Sequence, residues 1–273
     1  MLGLRVGARS VDNKLITADF SYLPKLPETE KNVDVVYFAG CMGHLTPAVK
    51  RAMLQIFDKA GINYTFLDED GSICCGRPLK LAGMKDAASK LVAENTSKIK
   101  RTNAKILVTS CPICYKVFNS DYQLDGMQVM HHSVFIDKLV GEEKIKLNPL
   151  GIKTVYHDPC ELGRGSGIYE QPRHVLNQIS ELAGVTEERA NSLCCGGSIG
   201  ELNMNAAQRN VIRDNALSVL CDPNPDILVT ACPLCKKTFE SGNLTQVKDI
   251  AELVAESMNQ EKATLKSASL AEV

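Results

Sequence analysis

Residues 105–118 read KILVTSCPICYKVF, and residues 226–239 read DILVTACPLCKKTF. Each stretch opens with a short apolar run rich in β-branched residues, which suits a buried strand. The run ends at a cysteine (Cys111, Cys232), followed by proline, one apolar residue and a second cysteine (Cys114, Cys235). Proline directly after the strand fits the first turn of a helix, where its missing N–H costs nothing. Each copy therefore reads strand, Cys-Pro-x-Cys, helix, with two thiols at a strand's carboxyl edge.

Upstream, the first copy begins at VDVVYFAGC, a strand over 33–38 that ends at Cys41. Thr46 and Pro47 open a helix that Gly61 closes. Residues 62–67 alternate as a second strand, and acidic turn residues lead to Cys74-Cys75-Gly76. A helical pattern over 84–101, broken by Asn95, precedes the quoted stretch. A short strand over 127–130 and a helix over 134–140 close the unit. The cycle restarts at residue 153 and reaches Asp158-Pro159-Cys160. A helix over 172–183, a weaker strand over 185–192, Cys194-Cys195-Gly196, a helix over 203–220, the second quoted stretch and a helix over 249–258 follow.

The spacings repeat. Cys41 is followed after 32 residues by Cys74-Cys75 and after 35 more by Cys111; Cys160 is followed after 33 by Cys194-Cys195 and after 36 more by Cys232. Ten of the 11 cysteines fall into two five-member sets in the same order, which marks an internal duplication. The expected division is an extension over 1–32, repeats over 33–150 and 151–258, and a tail over 259–273.

Strands alternating with helices predict an α/β fold with parallel sheets, one Rossmann-like unit per repeat. Ligands of such sheets gather beyond the carboxyl ends of the strands, where all three cysteine groups of a repeat are expected. Helix N-termini at that edge steady thiolates. At 273 residues the chain has room for about two domains. Its net charge of −1 gives no reason to expect a nucleic-acid or polybasic membrane surface, and no apolar run approaches the length of a bilayer span. A cytoplasmic chain is expected, in which reduced, clustered cysteines are metal ligands rather than disulfides.

Zinc takes four ligands in a tetrahedron. Five thiols per set, two of them adjacent in sequence, crowd one ion but reach different irons of a cluster, so the arithmetic favours iron–sulfur over zinc in either site. No Walker loop or dinucleotide fingerprint is present, so neither nucleotide nor flavin is expected here.

The doubled pattern, with HDPCELGRGSGIYEQPR at 157–173, resembles the CCG-domain (cysteine-rich) proteins. These include the B-type and D-type subunits of heterodisulfide reductases and the iron–sulfur subunits of glycolate, lactate and glycerol-3-phosphate dehydrogenases. The resemblance implies two repeats about a pseudo-twofold axis, their cluster edges facing a shared cleft. It implies two non-cubane [4Fe-4S] clusters, one on Cys41, Cys74, Cys75, Cys111 and Cys114, the other on Cys160, Cys194, Cys195, Cys232 and Cys235. Electrons would come from a ferredoxin-like iron–sulfur subunit or a flavoprotein subunit and pass to a disulfide or another acceptor. The alternative is a pure electron-transfer subunit of a flavin-linked 2-hydroxyacid dehydrogenase, held at the inner membrane through a partner. Arg77 and Arg164 are candidates for offsetting thiolate charge. His157 reads as a structural histidine, His44, His131 and His132 have no partner that spacing identifies, and Cys221 reads as a buried small hydrophobe. Gly76, Gly196 and Gly197 would let the backbone turn close to the thiols.

Overall fold

The computed structural model describes residues 32–197 and 204–270, the last ten as backbone alone. The expected extension over 1–32 lies, but for residue 32, outside the described residues. In the first repeat the elements are β1 (Val35–Phe38), α1 (Gly40–Leu45), α2 (Pro47–Lys59), β2 (Tyr64–Phe66), α3 (Arg77–Leu81), α4 (Lys85–Lys100), β3 (Ile106–Thr109), α5 (Pro112–Asp121), β4 (Gln128–His131) and α6 (His132–Gly141). The second continues with β5 (Lys153–His157), α7 (Gly163–Ser166), α8 (Glu170–Ile179), β6 (Glu181–Ala183), α9 (Ala206–Leu220), β7 (Ile227–Thr230), α10 (Pro233–Glu240), β8 (Gln246–Asp249) and α11 (Ile250–Leu270).

Each repeat is a four-stranded, all-parallel sheet. The orders are β2-β1-β3-β4 and β6-β5-β7-β8, the same order twice. Registers agree as well, since Phe38 pairs with Thr109 and His131 in turn, and His157 with Thr230 and Asp249. Tyr37 and Tyr156, Ser110 and Ala231, and His131 and Asp249 are therefore equivalent positions of the two halves.

The halves join through helices in a crosswise manner: α2 packs on α11, while α6 packs on α8. Exchanging the repeats exchanges these contacts, as a pseudo-twofold axis demands. One apolar core runs through the junction. Met53, Ile56 and Phe57 from α2 and Ile136 and Leu139 from α6 join Val175, Leu176 and Ile179 from α8 and Leu253 and Val254 from α11, all fully buried or nearly so. Each such side chain contributes about 1.5–3 kcal/mol by leaving water.

Several expected boundaries shift. A short helix, α1, precedes α2, and Thr46 bonds back to the Met42 carbonyl (2.8 Å) rather than capping α2 with its side chain. α8 stops at Ile179 instead of reaching 183, because Glu181–Ala183 is needed as the edge strand beside β5. The stretch over 185–192 is a loop with one 3-10 turn, Arg189–Asn191. α11 passes the expected end at residue 258 and runs to Leu270.

Candidate functional site

The cysteines occupy the carboxyl edges of the two sheets. Cys111 and Cys232 cap α5 and α10, with Pro112 and Pro233 as the first helical residues. Cys41 lies in α1 just past β1, and Cys160 holds the matching place past β5. The Cys-Cys-Gly turns approach from the side. Gly76 and Gly196 have φ of +96° and +79°, and their N–H groups point back at Cys74 Sγ (3.5 Å) and Cys194 Sγ (3.4 Å). A side chain at Gly196 would strike the Arg209 carbonyl at 2.7 Å, and one at Gly40 would press Cys114 Sγ at 3.0 Å.

Within each set the thiols form a chain of S–H···S contacts. In the first it runs Cys41–Cys74–Cys75–Cys114–Cys111, and in the second Cys160–Cys194–Cys195–Cys235–Cys232. None of the 11 cysteines forms a disulfide. The Cys41 thiol pulls Cys74 down to about 3, and hydrogen bonding from Cys114 lowers Cys111, which also receives the N–H groups of Ile113 and Cys114. The ionised neighbours in turn push up Cys41 and Cys114. Cys75 is driven to about 12, because Cys74 and burial outweigh its bond to Cys114. In the second set Cys160 and Cys195 are raised first by Cys194, and Cys235 by Cys195. Such a set cannot ionise throughout on its own. It can with soft cationic charge among the sulfurs, so the donor chemistry fits an iron–sulfur group. Among the described residues no three His, Cys, Asp or Glu side chains are placed to hold a single metal ion.

Different side chains hold the two edges. In the first half, the buried Asp68 carboxylate accepts the N–H groups of Ala39 (2.9 Å) and Gly40 (2.8 Å), fixing the turn that carries Cys41, and pairs with His44 Nε2 at 3.2 Å. Asn95 donates to the Cys74 carbonyl (2.9 Å) and to Tyr122 Oη (2.9 Å), and Tyr122 donates to the Cys75 carbonyl (3.1 Å). In the sequence Asn95 reads only as an interruption in a helical face, and no local pattern marks Asp68 or Tyr122. In the second half, His157 Nε2 meets the Leu193 carbonyl at 3.1 Å, Arg164 donates to the carbonyls of Ala190 (3.2 Å) and Ser192 (2.5 Å), and Arg173 grips Asp158. Arg164 thus secures the loop before Cys194. Arg77 faces Glu161 Oε1 (3.8 Å), whose Oε2 is 2.9 Å from Lys116 Nζ. Glu161 follows Cys160, while Arg77 and Lys116 belong to the first half, so the two edges lie side by side. Cys221, at the end of α9, is half-buried rather than buried.

His157 is structural, as expected. It lies edge-on to Phe239, and burial depresses its imidazole from 6.5 to about 4. As pH falls below the unfolded value near 6.5, the unfolded chain binds a proton that the folded chain refuses, and stability declines until pH reaches the folded value. At about pH 5 the expected loss from this residue is about 2 kcal/mol, at about 1.4 kcal/mol per pH unit. Urea unfolding at pH 7 and pH 5 should show it, and a His157→Gln variant should lose less across the same interval. Equal sensitivity in both proteins would contradict the assignment.

The fold and the site define a duplicated α/β protein carrying two cysteine-rich edges. The model of the CCG cysteine-rich domain matches residues 35–119 and 154–240, and the chain belongs to that family. It is 31% identical over 254 residues to the EtfAB:quinone oxidoreductase of Syntrophomonas wolfei, covering 85% of this chain and 35% of that protein. It is 32% identical over 261 residues to the D subunit of the dihydromethanophenazine:CoB–CoM heterodisulfide reductase of Methanosarcina acetivorans, covering 87% and 62%. It is 29% identical over 227 residues to the B subunit of the fumarate reductase (CoM/CoB) of Methanothermobacter marburgensis, covering 80% and 45%. The chain thus spans between 35% and 62% of the length of these relatives. All three are named as oxidoreductases or their subunits, and another relative is named an iron–sulfur protein. Among the described residues no helix is long and apolar enough to cross a membrane.

Proposed function

We propose that this chain is an iron–sulfur oxidoreductase subunit that passes electrons through two non-cubane [4Fe-4S] clusters to a disulfide or another acceptor. The observation that carries this reading is the pair of five-thiol chains, connected in the same order and set side by side at two parallel-sheet edges. Cys41, Cys74, Cys75, Cys111 and Cys114 would hold one cluster; Cys160, Cys194, Cys195, Cys232 and Cys235 would hold the other. Such clusters would supply one-electron steps, with potentials set by hydrogen bonds to the sulfurs and by burial. The chain's own residues do the rest. Asp68, Asn95 and Tyr122 in one half, and Asp158, Arg164 and His157 in the other, tie down the backbone that aims the thiols. Gly40 leaves room at Cys114 Sγ, and Gly76 and Gly196 make the left-handed turns whose N–H groups face Cys74 and Cys194.

Two electrons and two protons convert a disulfide to two thiols. The electrons would arrive from a reduced flavoprotein or ferredoxin-like partner subunit. The second reading is an electron-transfer subunit of a flavin-linked 2-hydroxyacid dehydrogenase; similarity to a protein named as a quinone oxidoreductase supports its relay role over disulfide cleavage, and not its substrate. The test is anaerobic purification followed by iron and sulfide analysis and EPR. About eight irons per chain are expected from two four-iron clusters. EPR signals altered by an added disulfide or thiol would support a catalytic cleft. Full iron with indifferent signals would favour the relay, and a colourless protein holding zinc would overturn both.

A further inference from the structure

Between the two cysteine edges, on the pseudo-twofold axis, lies a group of fully buried polar side chains with no role in holding the cysteines. His131 ends β4, His132 begins α6, and Asp249 ends β8 in the other half. His132 Nε2 and Asp249 Oδ1 are 2.8 Å apart, a contact that crosses between the repeats. The two imidazoles lie against each other with centroids 4.4 Å apart.

Hydrogen bonding fixes the protons. Ser133 N–H donates to His131 Nδ1 (3.4 Å), so the neutral ring carries its hydrogen on Nε2. Nε2 faces the backbone of Ser110 and Ala231, the residues just before Cys111 and Cys232, without an aligned hydrogen bond. Asp249 Oδ1 also accepts the Ala251 N–H (2.9 Å), so His132 donates to it through Nε2 and its Nδ1 is a bare acceptor. Four atoms here have no partner: His131 Nε2 and Tyr156 Oη as donors, His132 Nδ1 and Asp249 Oδ2 as acceptors. Tyr156 lacks a partner because the duplication is broken at one residue. Its equivalent, Tyr37, bonds Ser110 Oγ at 2.8 Å, and the matching position in the second half is Ala231. Two unpaired donors and two unpaired acceptors thus belong to one buried group.

We propose that the His132–Asp249 pair is a proton-accepting site, coupled through His131 to both cysteine edges, that takes up a proton when negative charge is added there. The proton goes to His132 Nδ1 and comes from bulk water. The added electron comes from the reduced flavin or iron–sulfur donor, so that net charge on the buried edges is unchanged. The resulting imidazolium rests on the Asp249 carboxylate, the only carboxylate bonded to it among the described residues. The groups facing the site are Tyr37 and Tyr156 from β1 and β5, His131 and Ser133 beside it, and Ser110 past β3, together with Glu252, whose Oε2 accepts the Asp249 N–H (2.9 Å), and Lys236 of α10, 3.3 Å from Glu252. Burial and the neighbouring His132 keep His131 neutral, so it serves as a donor and not as the proton store.

The inference rests on the iron–sulfur reading. Its test is EPR-monitored redox titration of the intact, cluster-loaded protein from about pH 6 to about pH 9, an interval on both sides of neutrality. Midpoint potentials are expected to fall as pH rises in the wild type. The slope is expected to flatten in Asp249→Asn and His132→Gln with iron content unchanged, a change that a purely structural role would not produce. Where a variant fails to fold, reduced-minus-oxidised infrared spectra of wild-type protein carrying isotope-labelled histidine should show imidazolium forming on reduction. Potentials independent of pH, wild-type slopes in both variants, or no imidazolium signal would overturn the inference while leaving the clusters standing. Protein without iron would overturn both.

Discussion

Replacing Cys75 by alanine is expected to remove about half of the iron from the anaerobically purified protein, about four of eight atoms per chain, and Cys195→Ala is expected to do the same from the other side. Both residues sit in the middle of their thiol chains, Cys75 between Cys74 and Cys114 and Cys195 between Cys194 and Cys235. Loss of an end member such as the exposed Cys41 leaves four thiols in contact, enough for an ordinary four-iron cluster. Loss of a middle member splits the chain into two pairs. Each variant alters a small buried side chain, and the two sets sit on separate sheets, so the untouched half should keep its cluster and its EPR signal. The double variant should be colourless. Cys221→Ala, outside both sets, should keep full iron. Full iron in both single variants would refute the ligand assignment. Complete loss in either would mean that the clusters are not independent.

The duplication, the strand edges and the ten cysteines were legible because they depend on local signals. β-Branched runs ending at cysteine, proline at the first helical position of α2, α5 and α10, and spacings repeated across about 120 residues can all be read along one dimension. What escaped depends on partners far apart in sequence. Asp68 and Asp158 each look like one carboxylate among many until the fold places one under Ala39 and Gly40 and the other against Arg173. Asn95 breaks an apolar face of α4, yet that face meets the Cys74 carbonyl and Tyr122. The helical pattern of α8 continues past Ile179, but β5 takes the next residues as its edge strand, and Ser180 Oγ is drawn to Thr154 Oγ1 (2.7 Å). His132 and Asp249 lie 117 residues apart, and only the crosswise packing of helices from the two repeats brings them together.

The duplicated halves have diverged in one respect. Their sheets and thiol chains coincide, whereas the side chains that brace them do not. The first half uses a carboxylate on backbone N–H groups and an amide–phenol pair on carbonyls. The second uses two arginines and a histidine. Bracing by a carboxylate on backbone N–H groups and bracing by an arginine–carboxylate pair fail differently, which allows each half to be perturbed by itself.

The buried ion pair of the second half supplies the sharpest such perturbation. Arg173 donates to both oxygens of Asp158 at 2.7 Å, to the Tyr169 carbonyl at 2.9 Å, and lies 5.2 Å from the Tyr156 ring centre. Its side chain is 7% exposed and that of Asp158 is 2% exposed. Asp158 also accepts the Arg189 N–H (2.8 Å) and stands two residues before Cys160, so it joins the Cys160 turn to the loop that leads to Cys194. Arg173→Met leaves that carboxylate buried with one backbone N–H as its remaining partner. The expected cost is about 3–5 kcal/mol, or roughly 10 °C in Tm for a chain of this size. Adding Asp158→Asn removes the stranded charge and should recover most of the loss, because desolvation of an unpaired ion and not the missing attraction dominates the penalty. Mild heating of Arg173→Met should release iron from the second set first, leaving about half, since Asp68 and not Asp158 secures the first. Calorimetry with parallel iron analysis measures both effects. A Tm within about 2 °C of wild type would mean that solvent reaches Asp158, and equal release from both sets would mean that the two edges are braced as one.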